Sequence, residues 1–474
     1  MRLNVLVLTL LGLCVARAAT YFPGEGDVDV SVWQTSGREA FQELETTPFT
    51  PHLYTNQAPI VVDTAATIGT YRRLGVSMTD ASCWVLSKLA PERRRALLEA
   101  VFSPTKGANL RGVRLNIGAS DYSTALYNYD ETPSDVSMAH FSMARDDRWL
   151  FPMVREAMAV NPDLWFFAAP WSPPGWMKTT GSFVDGHFRD GMELALANYL
   201  VAYVKGCADR GVDVKAVSIQ NESGLSTHGT YPSCVFRPDQ SAAVARTLAA
   251  RLGEERLAAK VWVWDWDYKG ATNDVPAILA APGTREAVGG IAWHSYGRSK
   301  GEWIRPIKAA YPEIPFFHTE MGPALHDPKR TEWWWTGKLA EAFTNGCEMF
   351  TGWNLCLTAN GTPLVGPHLC AGLVTVDLKT GDFTPSAQYT VFRHVGPFVK
   401  DGAEVLGVNG ATDGMNVLLF RNPGGEYVLV AASEGVGTTK YPRPKLTIRL
   451  GNEMKLVEIP WGTWSVTTVV FKKR

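Results

Sequence analysis

The chain has 474 residues, of which 46% are hydrophobic and 20% charged, with a formal charge of -1 at pH 7. These values describe a globular chain long enough for a large domain and a smaller one, and they exclude a disordered polyelectrolyte. The near-zero charge also excludes nucleic acid or an anionic membrane surface as the main partner.

The opening MRLNVLVLTLLGLCVARAAT carries Arg2, an apolar run from Leu3 to Ala16 and a small-x-small site at Ala16-Arg17-Ala18. That pattern predicts a cleaved secretory signal over residues 1–18 and a mature chain that is secreted, periplasmic or at the cell surface. The run is shorter than the roughly 20 residues a bilayer needs, so no integral membrane span is expected after cleavage. Residues 19–65 alternate in short steps, as in DVDVSVWQTSG, where Val28, Val30 and Val32 share one face of a strand. From 66 to 395 the texture changes to apolar strands alternating with amphipathic helices. The strand candidates are RLGVSM, RGVRLNIG, LWFFAAP, VKAVSIQ, KVWVWD, GGIAWHSY, IPFFHTE and MFTGWNL, and the helices include PERRRALLEAVF, LALANYLVAYVKGCADRG and KLAEAFTNG. Such repeats with buried parallel strands predict an α/β fold, a closed (β/α)8 TIM barrel. Residues 396–474 return to alternation in MNVLLF, EYVLVAAS, KLTIRL, KLVEI and WSVTTVVF. This tail has too few strands to close a sandwich alone, so the N-terminal strands are expected to join it in a side β-sandwich with antiparallel strands.

In a barrel of this kind the active site lies at the C-terminal ends of the strands. Polar and aromatic residues collect at those ends: Asp80, Asn116 with Asp121, Trp171, Asn221 with Glu222, Asp265, His294 with Tyr296, His318 with Glu320, and Trp353 with Asn354. Glu222 and Glu320 follow the fourth and seventh strands, on opposite sides of the ring. Opposed carboxylates are the equipment of glycoside hydrolysis, one as acid/base and one as nucleophile. The 17 tryptophans suit a chain that stacks flat sugar rings.

Across nearly the whole mature chain, the motifs DVDVSVW, MTDAS, RLNIGASDYSTALYNY, APWSPPGWMKTTG, SIQNES, HSY, HTEMG, GWNL and IPWGTWSV resemble glycoside hydrolase family 30, which includes glucosylceramidases, β-1,6-glucanases and β-xylosidases or xylanases. The resemblance implies a retaining β-glycosidase acting by double displacement on a β-linked glucan, a glucoside or a related saccharide or glycolipid. It also implies the residue roles: Glu222 as acid/base, Glu320 as nucleophile, and Asn221 on the sugar 2-OH. Asp121, Trp171 and Trp353 are implied as glycone-binding residues, and His294 with Tyr296 as groups beside the nucleophile. The expected partner is a carbohydrate or glycoconjugate substrate, with no cofactor and no metal. Two positions depart from the family. Val76, Ser77 and Met78 replace small residues before Thr79-Asp80, an expected change in the sugar pocket, and Ser223 replaces the common proline after Glu222.

Other readings stand beside this one. A metal-dependent hydrolase would draw on His294, His318, His326 and His368, although no H-E-x-x-H spacing supports it. A sugar-binding protein could keep the tryptophans with impaired catalysis, and specificity for xylosides, fucosides or galactans turns on a few pocket contacts. After signal removal the cysteines are Cys83, Cys207, Cys234, Cys347, Cys356 and Cys370, without a close C-x-x-C pair. Most are expected to be free thiols, with Cys356 and Cys370 near enough in sequence to pair.

Overall fold

Burial on both faces explains why the central strands read as almost continuous apolar runs. All six residues of Gly112–Ile117 are buried, yet they serve two environments. Val113, Leu115 and Ile117 pack into the helix-facing core, whereas Arg114 points into the ring and meets carboxylates there. In this computed structural model the strands Arg73–Ser77, Gly112–Ile117, Trp165–Pro170, Val214–Ser218, Lys260–Asp267, Val288–His294, Phe316–Glu320 and Cys347–Gly352 pair in parallel. The eighth returns to the first, so the barrel closes. The structure describes residues 28–36, 39–44, 50–51, 60–297, 299–326, 331–410, 414–434, 446–450, 453–457 and 464–473. The expected signal, residues 1–18, lies outside them. Among the described residues no helix is long and apolar enough to cross a membrane.

The lower end of the ring is filled by Phe167, Ala216, Trp262, Ala292 and Met349, with Trp165 and Phe317 packed against them. Trp262 stacks on Phe317 at 4.2 Å and Gly290 leaves room for both rings, since a Cβ there would sit 2.7 Å from each. The interior of the ring is therefore a packed core, and the polar strand ends gather above it at the C-terminal mouth.

The chain ends interleave in a ten-stranded sheet. The strand Trp464–Lys473 lies between Val28–Ser36 and Tyr427–Glu434, antiparallel to both. The strand Ile60–Tyr71 runs through the expected boundary at residue 65 and joins Ala403–Gly410 to Leu446–Leu450. Its pairing with Leu446–Leu450 is parallel, where an antiparallel pattern was expected throughout. A parallel neighbour is available here because the two strands are far apart in sequence and no hairpin dictates their direction. Period-two alternation divides the sheet's faces. Leu418, Phe420, Val428, Val430 and Val466 pack into the barrel's core, while Leu406, Leu419, Leu429, Val469 and Phe471 form a second core with Val32. The helices Glu332–Thr344 and Ala387–Val395 lie on the barrel side of the sheet. His394 clamps this junction, with Nε2 2.9 Å from Thr35 Oγ1 and Nδ1 2.9 Å from Thr468 Oγ1. Burial lowers its imidazole to about 3, so the ring is neutral and these hydroxyls complete its hydrogen bonds.

The six cysteines beyond residue 18 are thiols, and five of them are buried. Cys356 Sγ points at the Ser82 carbonyl, 3.5 Å away, and is not paired with Cys370.

Candidate active site

Strand ends deliver the polar groups to the open mouth of the barrel. The fourth strand stops at Ser218, and the chain turns through Asn221 and Glu222, the latter at φ 49°. The fifth strand carries a bulge: Ala292 pairs with Trp264 and Trp293 with Trp266, leaving Asp265 as the extra residue. Trp264 and Asp265 hold φ of 77° and 50°, a left-handed pair that turns Trp264 into the outer core and Asp265 inward. The Glu222 amide then donates to the Asp265 carbonyl at 2.9 Å, which ties the two strand ends together.

Arg114 is the hub beneath the mouth. It donates through Nη1 to Glu320, and through Nη2 to Asn221 Oδ1 and Asp265 Oδ2, both at 2.8 Å. Its guanidinium lies 4.8 Å from the Trp171 ring and 5.6 Å from the Trp353 ring, which stack on each other at 5.2 Å and 23°. His294 bridges two carboxylates, with Nε2 3.1 Å from Asp265 Oδ1 and Nδ1 3.3 Å from Glu222 Oε1. Tyr296 donates its hydroxyl proton to Glu320 Oε1 at 3.1 Å and accepts from the Gly322 amide at 3.1 Å. Thr319 donates to Asp265 Oδ1 at 2.5 Å.

The charge states follow from these contacts. Burial alone would raise the Asp265 carboxyl, but Arg114, with hydrogen bonds from His294 and Thr319, holds it well below the ordinary range. Burial opposes a charge on His294, yet Glu320, Asp265 and Glu222 together bring it up to about 9, so it is an imidazolium at neutral pH. Burial pushes the Glu320 carboxyl up, the His294 and Arg114 cations oppose that rise, and Glu222 adds to it. Asp121 is pushed well up by burial, with further rises from Glu320 and Glu222.

Above this network opens a cavity of about 370 Å³. Asp121, Trp171, Asn221, Glu222, Tyr296, Glu320 and Trp353 line it, and His294 lies beneath, so the eight residues singled out from the sequence gather at one place. Asp80, Asn116, His318 and Asn354 do not line it, although they also follow strands. Asp80 instead accepts from Thr124 and Trp149, His318 stacks on Phe350, and Asn354 accepts from Thr79. Val76 and Met78 face the core and Ser77 donates to the Gly352 carbonyl, so none of the three lines the cavity.

Sequence reasoning missed Arg114 as a site residue, passed over Trp266 and Tyr231 in the cavity wall, and weighed His368 there only as a metal ligand. Arg114 had a signal, since a lone charge inside an otherwise apolar strand must find a partner within the ring. Trp266 lies near the end of the fifth strand, past the bulge that sets its direction, whereas Tyr231 and His368 come from loops whose paths no local pattern dictates. Of the four histidines weighed as metal ligands, His326 is exposed and His318 is held by Ser295 below the cavity. Among the described residues the ligand atoms that do converge are those of Glu222, His294 and Glu320, within 4.8 Å of one another.

Residues 71–399 match the family described as Glycosyl hydrolase family 30 TIM-barrel domain. An endo-1,6-beta-D-glucanase of Neurospora crassa is 27% identical over 404 residues, covering 77% of this chain and 82% of that protein. The lysosomal acid glucosylceramidase of Mus musculus is 26% identical over 394 residues, 77% of this chain and 76% of that protein. Among solved structures, SrfJ from Salmonella typhimurium superposes with a TM-score of 0.85 at 22% identity, over 94% of this chain and 100% of that one. The endo-beta1,6-glucanase BT3312 gives 0.82 at 23% identity, over 94% and 100%. These two structures share the fold.

Proposed function

The chain belongs to glycosyl hydrolase family 30 and is an O-glycosyl hydrolase, and from that premise we propose that it cleaves β-glucosidic bonds with retention of configuration. Glu320 is the nucleophile and Glu222 the acid/base in this reading. The observation that carries it is the approach of the two carboxylates, whose nearest oxygens lie within 4.8 Å together with a His294 nitrogen. Retaining enzymes hold their carboxyl groups about 5–5.5 Å apart, and inverting ones leave about 6.5–9.5 Å for a water. The relatives named endo-1,6-beta-D-glucanase and glucosylceramidase support a glucosyl unit on the glycone side.

The network gives each step its groups. Glu320, aimed by Arg114 and Tyr296, attacks the anomeric carbon as the bond to the leaving oxygen breaks, and Glu222 gives its proton to that oxygen. Water then enters where the leaving group departed. Glu222 takes its proton and the ester to Glu320 is released. Asn221, held by Arg114, is placed for the sugar 2-OH, and Trp171 and Trp353 form the apolar wall of the glycone pocket. Asp121, its carboxyl raised by burial and by the two glutamates, faces the cavity as a partner for the outer sugar hydroxyls.

A panel of aryl β-glycosides, followed by NMR of the first-formed sugar, tests the reading. A first product of β configuration is expected, with turnover abolished by Glu320→Ala. Glu222→Ala should still release good leaving groups once and then stall. An α product, or normal turnover by Glu320→Ala, rejects the assignment.

A further inference from the structure

The two halves of the cavity differ in kind. On the side of the second, third and eighth strands, Trp171 and Trp353 are packed into a closed cluster with Tyr122, Ala169 and Tyr231. On the side of the fifth strand stands Trp266, half-buried, with its ring in the cavity wall. Glu222 lies between them. A residue that protonates a departing oxygen has the glycone on one side and the leaving group on the other, so Trp266 stands on the leaving-group side.

Its placement is built by the backbone. Asp265 is the extra residue of the bulge, and its carbonyl accepts from the Glu222 amide at 2.9 Å. Trp266 is the next residue, so indole and acid/base are held by one hydrogen-bonded joint. Gly224, two residues beyond Glu222, makes room for the ring: a Cβ there would sit 2.2 Å from Cζ3 and 3.1 Å from Cε3 and Cη2. Equal and longer distances to the two flanking carbons are those of an approach to the ring's edge, in its plane. Gly224 thus meets the indole at its edge, Trp264 packs beside the ring at 5.4 Å and 39°, and the part left uncovered is the one in the cavity wall.

We propose that Trp266 is a specificity-determining residue, the platform on which the leaving-group sugar ring stacks while Glu222 protonates the glycosidic oxygen. The proposal rests on the assignment of Glu222 and Glu320 above. It commits the leaving group to a pyranose, whose C–H face matches a flat indole held beside a proton donor. The same platform must then seat a sugar acceptor in the second step. There the acceptor hydroxyl attacks the glycosyl carbon, its proton passes to Glu222, and the ester bond to Glu320 breaks.

The experiment compares Trp266→Ala with the unaltered enzyme on two substrates of one glycone, an aryl β-glycoside and a β-linked disaccharide. For the disaccharide, kcat/KM should fall about 10- to 200-fold, the range of one lost pocket contact. The aryl glycoside, whose leaving group departs with little help from a seated proton donor, should lose several-fold less than the disaccharide. Transfer from the aryl glycoside to an added saccharide acceptor should fall in parallel, whereas transfer to methanol should persist. Trp266→Phe, which keeps a ring, should recover most of the loss. An equal fall on both substrates, or an undiminished rate on the disaccharide with normal transfer, overturns the proposal. Failure of the carboxylate assignment would show separately, as an α-configured first product from the unaltered enzyme.

Discussion

Arg114 is the residue on which the site's charges balance. It is fully buried and donates to Glu320, Asn221 and Asp265, so the planar fork does what a point charge cannot. Replacing it by Met leaves Asp265 and Glu320 without their shared cation, at a cost of about 3–5 kcal/mol. Lysine keeps the charge but reaches fewer acceptors. Arg114→Lys is therefore expected to stay folded with a large loss in kcat, and Arg114→Met to melt in markedly less urea. Denaturation curves beside kcat/KM on an aryl glycoside check both, and a fully active Lys variant would show that the fork is dispensable. His294 acts through its two carboxylates in the same way, its charge set by neighbours from three other strand ends.

At the scale of elements, the segment between the second strand and the helix Leu150–Val160 carries Asp121 into the cavity and is anchored by acids outside it. Asp80 accepts from the Thr124 amide at 2.7 Å, the Thr124 hydroxyl at 2.8 Å and Trp149 Nε1 at 2.6 Å. Asp146 accepts from Tyr127 at 3.0 Å and Tyr129 at 2.5 Å. Burial raises Asp146 to about 7, against the pull of the two tyrosine hydroxyls and of Arg145, with Asp80 adding to the rise. The folded state thus binds this proton more tightly than the unfolded one. Its contribution is fully present below about pH 4, the unfolded carboxylate range, and is lost as pH rises to about 7. Asp146→Asn should remove that slope, so the variant's stability relative to the parent should improve from pH 4 to pH 7. Melting temperatures across that range measure it, and a pH-independent difference would mean that Asp146 does not titrate there.

For the whole molecule, the strand Trp464–Lys473 connects the chain's two ends. It pairs on one side with Val28–Ser36 and on the other with Tyr427–Glu434, and it buries Val466, Val469 and Phe471 completely. Each such side chain contributes about 1.5–3 kcal/mol. Truncation after residue 463 should lower the melting temperature clearly and open Val28–Ser36 to proteolysis. An unchanged melting temperature with the N-terminal strand still protected would show that the two ends do not depend on each other.

The sequence alone determined the barrel, because eight apolar runs alternating with helical stretches have few other ways to bury both faces. It also placed Glu222, Glu320 and their six neighbours at the ends of buried strands, where a polar residue is costly unless it faces a site, and the family resemblance singled out those eight. Local pattern does not say which way such a residue points once its strand ends. Asp80 and Asn354 therefore looked like site residues, and the structure places them on other partners. Only the tertiary structure decided that Arg114 crosses the ring to three strand ends, that a bulge brings Asp265 inward, and that Trp266 stands beside Glu222 with its faces clear of Gly224. Those contacts join residues about 40 to 200 positions apart. Their geometry depends on closure of the barrel and on one inserted residue in a ladder, neither of which leaves a periodic trace in the chain.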